Sequence, residues 1–76
     1  MVSFEKITAS IKDLIPDAHV TIEDMSGGGD HFNVHVVSSE FEGLSKIQQH
    51  QLVYKSLKEE LASEAIHALA LKTSTP

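Results

Sequence analysis

The fold is decided by residues 19–37, which read HVTIEDMSGGGDHFNVHVV. On both sides of the glycine cluster, apolar residues alternate with other residues, at Val20, Ile22, Phe32, Val34 and Val36. This period of two is typical of half-buried β-strands. The glycines, with a serine and an aspartate beside them, favour a reversal of the chain. The stretch therefore predicts a hairpin with a flexible loop and one face packed on a core.

An amphipathic helix is predicted before the hairpin. Apolar residues recur there at intervals of three and four, at Phe4, Ile7, Ile11 and Leu14. This spacing places them on one face of a helix. Ser3 is a suitable N-cap residue, and Pro16 ends the helix because proline cannot continue the hydrogen-bond pattern.

A second helix is predicted at about 46–61, after the hairpin. Ser45 followed by Gln48 matches a capping box, which marks the start of a helix. One face is expected to hold Ile47, Val53, Tyr54, Leu57 and Leu61. The residues expected to point largely away from the core are Gln49, Gln51, Lys55, Lys58 and Glu59.

The last apolar run, residues 66–73, fits either a helix or a strand, and we favour a strand. The order is then α-β-β-α-β, which predicts an α+β fold. It is a three-stranded sheet with the helices packed on one face, forming a single domain over residues 1–76. Such a sheet leaves one face and its edges available to partners.

The composition restricts the possible functions of this 76-residue chain. It contains no cysteine, so a metal or cluster must be held by imidazoles, carboxylates or thiolates from another molecule. Its six cations are all lysines, and eleven carboxylates give a net charge of −5, which disfavours binding to many phosphates. Neither a signal peptide nor an apolar run of about 20 residues is present, so we expect a soluble, cytoplasmic protein.

Five segments carry a resemblance to a known family. They are GDHF at 29–32, VVSS at 36–39, FEGLS at 41–45, HQLVY at 50–54 and IHALAL at 66–71. Together they resemble the BolA family over nearly the whole chain. The combination is much more specific than any one of the segments.

This resemblance implies a fold similar to a class II KH domain. It also implies a partnership with a monothiol glutaredoxin in iron homeostasis and iron-sulfur cluster trafficking. The two proteins would share a [2Fe-2S] cluster with glutathione or form an apo heterodimer, and a homodimer also stays open. Some bacterial members are described as transcription regulators, so the alternative is a KH-like DNA-binding regulator that uses the second helix and its flanking turn.

The sequence departs from the family pattern in two places. Many relatives carry a cysteine or histidine cluster ligand in the hairpin loop, whereas the corresponding residue here is Gly28. Many also carry arginines on both sides of the histidine that corresponds to His50, whereas this chain has Gln49 and Gln51. The glycine at position 28 leaves the identity of the second cluster ligand open. The two glutamines weaken the DNA-binding alternative.

Two histidines are candidate metal ligands. His67, at the start of the last strand, is the principal candidate on the strength of the resemblance. Strict alternation places it with Leu69 and Leu71, so a half-buried histidine bonded to the backbone is the competing interpretation. His31 is the weaker candidate, because a histidine beside a glycine loop is often only solvated.

The other histidines have structural explanations. His50 is expected to border the core, and His19 and His35 are expected on the open face of the sheet or in solvent. A zinc site made of two such histidines would lack its remaining ligands. The chain has no nucleophile-elbow motif and no Gly-Lys-Ser/Thr phosphate loop, so we expect no catalytic residues and no enzyme.

Overall fold

The protein is described by a computed structural model that covers residues 3–25, 27, 31–63, 65–66 and 68–76. Its helices and strands follow in the order α1 (Phe4–Leu14), β1 (His19–Asp24), β2 (His31–Val37), α2 (Lys46–Ser56), α3 (Lys58–Ala62) and β3 (Ala68–Ser74). A short 3₁₀ turn, Ser39–Phe41, links β2 to α2. None of the helices in these described ranges has the length and apolar character needed to cross a bilayer.

The sheet has the strand order β1-β2-β3, with β2 in the centre. β1 and β2 form the antiparallel hairpin, in which Ile22 pairs with Val34. β2 and β3 are parallel, and Val34 also pairs with Leu71. The predicted α+β fold is confirmed, and the last apolar run is a strand. That strand spans Ala68–Ser74, so Ile66 precedes it and Ser74 extends it beyond the predicted run.

The helices pack on one face of the sheet, and the core lies between the two layers. Its strand side is the alternate set predicted from the sequence, because Phe32, Val34 and Val36 are all buried. On α1 the buried residues are Ile7 and Ile11, followed by Ile15 at the C-cap. The buried face of α1 therefore differs from the predicted face at both ends. Phe4 and Leu14 are exposed, whereas Ile15, which was not predicted, is fully buried.

The predicted second helix is interrupted at Leu57, where α2 ends and α3 begins. Leu57 has φ −105° and ψ 17°, outside the helical region. The hydroxyl of the preceding residue, Ser56, donates to the carbonyl oxygen of Val53 at 2.6 Å. Such back-bonding by serine competes with the helix pattern and bends helices. The prediction of one continuous helix over residues 46–61 is therefore wrong at this position.

The face of α2 was also predicted wrongly in part. Ile47 and Tyr54 are 71% and 41% exposed, whereas Gln49 is only 6% exposed. Gln49 is buried because its amide is used by the surrounding structure. It donates to the carbonyl oxygens of Phe41 and Leu44 at 3.3 and 3.0 Å and accepts from the Thr73 hydroxyl at 2.8 Å. The capping box of Ser45 and Gln48 is confirmed.

A polar contact joins the loop after α1 to the end of β2. The Asp17 carboxylate accepts hydrogen bonds from the Ser38 hydroxyl at 2.5 Å and from the Ser39 hydroxyl and amide at 2.6 and 3.0 Å. The hydrogen bonds from Ser38 and then Ser39 lower the pKa of Asp17 below its usual value of 3.8. These serines follow the last residue of β2 and fasten the loop after α1 to the sheet.

Candidate functional site

The open face of the sheet is polar and carries three of the five histidines. Side chains on successive strand residues point to opposite faces, so the residues between the core positions share this second face. On β1 they are exposed, and on the central strand β2 they are half-buried. The face consists of His19, Thr21, Glu23, His31, Asn33, His35, Val37, Ala68, Ala70, Lys72 and Ser74.

His31 lies at the end of the sheet where β2 and β3 both begin. It is the first residue of β2, and its Cα pairs with that of Ala68, the first residue of β3. Its carbonyl oxygen accepts from the amide of Met25 at 2.8 Å, which closes the hairpin loop. His31 thus belongs to a strand, not only to the loop beside which it was predicted. Its imidazole side chain is half-buried.

The predicted cluster site includes two further positions on the chain. His67, the principal candidate ligand, and Gly28, the residue at the usual loop-ligand position, lie outside the described residues. The prediction that His67 and His31 bind a cluster therefore stays a prediction. The two candidate ligands are nevertheless linked through Ala68, which pairs with His31 and directly follows His67 in the chain.

His35 occupies the middle of the open face, as predicted, and is tied to the edge strand. Its Nε2 lies 2.9 Å from the Ser74 hydroxyl oxygen on β3, within hydrogen-bond distance. In the register it stands between Thr21 and Lys72. Parallel pairing brings Ser74 beside it, which could not be foreseen from the sequence. His35 therefore contacts the neighbouring strand β3 and is not simply a solvated residue.

His19 is exposed on the same face, as predicted, and pairs with Val37. Within the part of the chain that the structure describes, no three histidine, aspartate or glutamate side chains are arranged to hold a metal ion. The described histidines therefore do not come together as a group of three ligands. A complete metal site would need ligands from elsewhere.

His50 is half-buried on α2 and packs against Tyr54. Their ring centroids are 6.4 Å apart at an interplanar angle of 86°, an edge-to-face contact. This agrees with the predicted position at the border of the core. On the same helix, the Lys46 ammonium donates to the carbonyl oxygen of Thr73. One of the few cations available to a DNA-binding surface is therefore used to fasten α2 to β3.

A cleft of about 370 Å³ lies between α1 and the segment formed by α2 and α3. Glu60 forms part of its wall and is only 6% exposed. Its Oε1 accepts a hydrogen bond from the Ser10 hydroxyl at 2.5 Å and lies 4.0 Å from the Lys6 ammonium. Lys6 is largely exposed, so this ion pair is weak. The residues around the cleft carry charges of both signs, with Lys55, Lys58, Asp13 and Glu59 at its edges.

The sequence patterns did not single out Glu60 as a structural residue. A signal was present in the spacing. Glu60 is seven residues after Val53 and three after Leu57, both buried, so it shares their side of the helical segment. A carboxylate on a core-facing position indicates a partner on another element. Here that partner is Ser10.

The chain is similar to proteins of one family. Residues 3–76 match a family model described as BolA-like protein. BolA-like protein 1 from Mus musculus is 53% identical over 51 residues, which cover 67% of this chain and 36% of that protein. The matched stretch therefore spans little more than a third of this relative.

Solved structures show the same fold. BolA1 from Arabidopsis thaliana has a TM-score of 0.83 and 34% identity, covering 95% of this chain and 89% of that one. The BolA domain of SufE1 from Arabidopsis thaliana has a TM-score of 0.82 and 30% identity, covering 100% of this chain and 96% of that one. The arrangement of helices and strands is thus common to this chain and both solved structures.

Proposed function

This chain belongs to the BolA-like family, and from that premise we propose that it is a non-enzymatic partner of a monothiol glutaredoxin. In this proposal the two proteins share a [2Fe-2S] cluster, with glutathione as a further ligand, or form an apo heterodimer. The role is iron homeostasis and the trafficking of iron-sulfur clusters. His67 and His31 are the residues of this chain that contact the cluster.

The register of β2 and β3 is the observation that carries the proposal. His31 pairs with Ala68, and Ala68 directly follows His67 in the chain. Parallel strands start at the same edge of a sheet, so the chain segments that contain the two candidate ligands converge on one end of the domain. A partner that covers this end of the sheet can reach both segments at once.

The donor set also supports a shared cluster. Clusters of this type are held mainly by thiolates, and the sequence contains no cysteine. Among the described residues there is no ready group of three ligands. The described residues alone do not form a cluster site, so in this proposal the thiolates come from a partner and from glutathione.

When bound, the cluster supplies one-electron redox chemistry and iron-sulfur cargo. The residues of this chain determine how it is held. A neutral imidazole in place of a thiolate raises the reduction potential, and it can release the iron when it becomes protonated. In this proposal His31 and His67 would contribute neutral ligands at the edge of the cluster that faces this chain.

The decisive experiment is reconstitution with a monothiol glutaredoxin. The wild-type protein, His67→Ala and His31→Ala are each mixed anaerobically with the glutaredoxin, glutathione, iron and sulfide, and the visible absorption and circular dichroism spectra are compared. We expect wild type to produce a spectrum that differs from that of glutaredoxin alone. His67→Ala should lose this difference, and His31→Ala should reduce it.

His19→Ala is the matched control, because His19 lies on the same open face but pairs with Val37, far from Ala68 in the register. It should behave as wild type. An unchanged spectrum for His67→Ala would refute the assignment of that ligand. Apo heterodimer formation is measured separately by calorimetry without iron. Tight binding to duplex DNA that weakens steeply between two salt concentrations would instead favour the regulator alternative.

A further inference from the structure

β3 is an edge strand with one open side. The strand order is β1-β2-β3, so among the described residues β3 pairs with β2 and with no other strand. The backbone groups along such an edge can pair with another chain, and charged side chains are a common protection against this. β1, the opposite edge, carries Glu23 and Asp24, whereas Lys72 is the one charged residue of β3. The edge formed by β3 is therefore the less protected of the two.

Two hydrogen bonds show which residues of β3 direct their backbone groups to the open side. The amide of Ser38, which follows β2, donates to the carbonyl oxygen of Ser74 at 3.1 Å, so the backbone of Ser74 faces β2. The Lys46 ammonium, on α2, donates to the carbonyl oxygen of Thr73. The backbone groups of successive strand residues alternate between the two sides of a strand. The residues that direct their amide and carbonyl groups away from β2 are therefore Leu69, Leu71 and Thr73.

An exposed stripe on α2 borders this open edge. It consists of Ile47, His50 and Tyr54, which are three and four residues apart and so share one side of the helix. Ile47 and Tyr54 are exposed, and the rings of His50 and Tyr54 are in contact. His50 lies one turn after Lys46, which bonds to the outer side of β3. The stripe therefore lies on the side of α2 toward the open edge and adds apolar surface beside it.

From these features we infer that β3 pairs with β3 of a second copy of this chain, antiparallel and about a two-fold axis at Ala70. The two three-stranded sheets then join into one continuous sheet. A two-fold axis makes the same strand serve both sides of the interface. With the axis at Ala70, Leu69 of each chain faces Leu71 of the copy, and each such pair exchanges both of its outward backbone hydrogen bonds. This inference does not depend on the proposed function.

The charges and contacts along β3 favour an axis at Ala70 over the neighbouring positions. With this axis, Lys72 faces Ala68 of the copy, so no like charges lie opposite each other. An axis at Lys72 would place the two lysines directly opposite, which is destabilising. An axis between these two positions would require the carbonyl oxygen of Thr73, which Lys46 already binds. The edge is therefore complementary to itself when the axis passes through Ala70.

Cysteine cross-linking tests the position of the axis, because the chain has no cysteine of its own. Ala70→Cys places each thiol opposite its copy in a pair that is not hydrogen-bonded, where the Cα atoms are about 4.5 Å apart. A disulfide can span this separation. We expect oxidation by dissolved oxygen to convert Ala70→Cys into a covalent dimer on a non-reducing gel. Thr21→Cys, exposed on the same face but on β1, is the matched control and should stay largely monomeric.

A charge exchange tests the pairing without a covalent bond. In analytical ultracentrifugation, the mass of wild type should rise from one chain toward two with increasing concentration. Ala70→Glu and Ala70→Lys each place like charges opposite each other at the axis and should abolish this rise, whereas their equimolar mixture should restore it. Thr21→Glu adds the same charge as Ala70→Glu and should match wild type. Because both positions are exposed, circular dichroism should show that all of these variants fold.

Three results would overturn the inference. Wild type could remain a monomer at every concentration, or Ala70→Cys could cross-link no faster than Thr21→Cys. Ala70→Glu could strengthen the dimer, which would mean that Ala70 faces Lys72 and that the axis lies elsewhere. If wild type is a monomer and Ala70→Glu lowers its affinity for a glutaredoxin, the edge binds that partner and not a second copy. The reconstitution experiment on His67 and His31 is unaffected by any of these results.

Discussion

Gln49 and Glu60 are equally buried, at 6% exposure, near opposite ends of the helical segment formed by α2 and α3, but they are satisfied differently. Gln49 is neutral and makes three hydrogen bonds, to Phe41, Leu44 and Thr73. Glu60 makes one side-chain hydrogen bond, to Ser10. The first residue completes the packing between the helix and the sheet. The second holds a short helix and keeps a carboxylate beside a cleft.

The largest effect is expected for Gln49→Ala. It removes one of the two donors to the Phe41 carbonyl oxygen, the side-chain donor to the Leu44 carbonyl oxygen and the acceptor of the buried Thr73 hydroxyl, so we expect it to lower the free energy of unfolding by about 2 to 3 kcal/mol. Urea denaturation with an unchanged m-value measures this loss. Gln51→Ala, an exposed position on the same helix, is the control. Equal midpoints for the two variants would contradict the role of Gln49.

Glu60→Leu should be much milder and so sharpen the contrast. The leucine fills an apolar position and removes the cost of burying a carboxylate, while the Ser10 hydroxyl can bond to water in the cleft. We expect the free energy of unfolding to change by less than about 1 kcal/mol. The same urea titration measures it. A loss as large as that of Gln49→Ala would mean that Glu60 is primarily a stability residue.

Asp17 extends the comparison to an exposed carboxylate with several donors. Hydrogen bonds from Ser38 and Ser39 lower its pKa below 3.8, so they stabilise the folded state fully above that pH. The stabilisation is lost as the pH falls through the lowered pKa of the folded state. Asp17→Asn should therefore show a smaller decrease of melting temperature on acidification below pH 3.8 than wild type.

The control for this pH dependence is Asp13→Asn, which changes an exposed carboxylate on α1. Thermal denaturation of this variant should follow the wild-type dependence on pH. If Asp17→Asn instead gives the wild-type slope, the contact with the two serines contributes nothing to acid sensitivity.

The smallest effect is expected at Ile47, which the sequence assigned to the core. Because this side chain is 71% exposed, Ile47→Ser should change the free energy of unfolding by less than about 0.5 kcal/mol. Val53→Ser, on the buried face of the same helix, should destabilise the protein strongly. Comparable losses for the two variants would indicate that Ile47 faces the core, as the sequence predicted.

The hairpin could be predicted because its pattern is local and unambiguous. Val34 and Val36 face the core, and His35 between them faces outward, as strict alternation requires. The orientation of α2 could not be read in the same way. Apolar residues occur around much of its circumference, from Ile47 through Val53 to Tyr54, so their periodicity does not fix which side is buried. Hydrogen bonding by Gln49 decides it.

The candidate site was predictable only as separate residues. The sequence singled out His31 and placed His35 on the open face, but the contact of His35 with Ser74 depends on parallel pairing between distant segments. The contact of Ser10 with Glu60 likewise joins two helices that are far apart in the chain. Spacing can indicate that a residue such as Glu60 faces the core, but which distant residue it contacts depends on tertiary structure.

The parallel pairing of β2 with β3 also has a consequence for the order of folding. The hairpin pairs residues 24 and 32, whereas the parallel ladder pairs residues 31 and 68. Closing the longer loop costs more chain entropy and is slower, so β3 should join the sheet after the hairpin has formed. The end of the sheet at which His31 meets Ala68 is then completed late. Under the proposed function, a chain that is still folding would not yet present that end of the sheet to a partner.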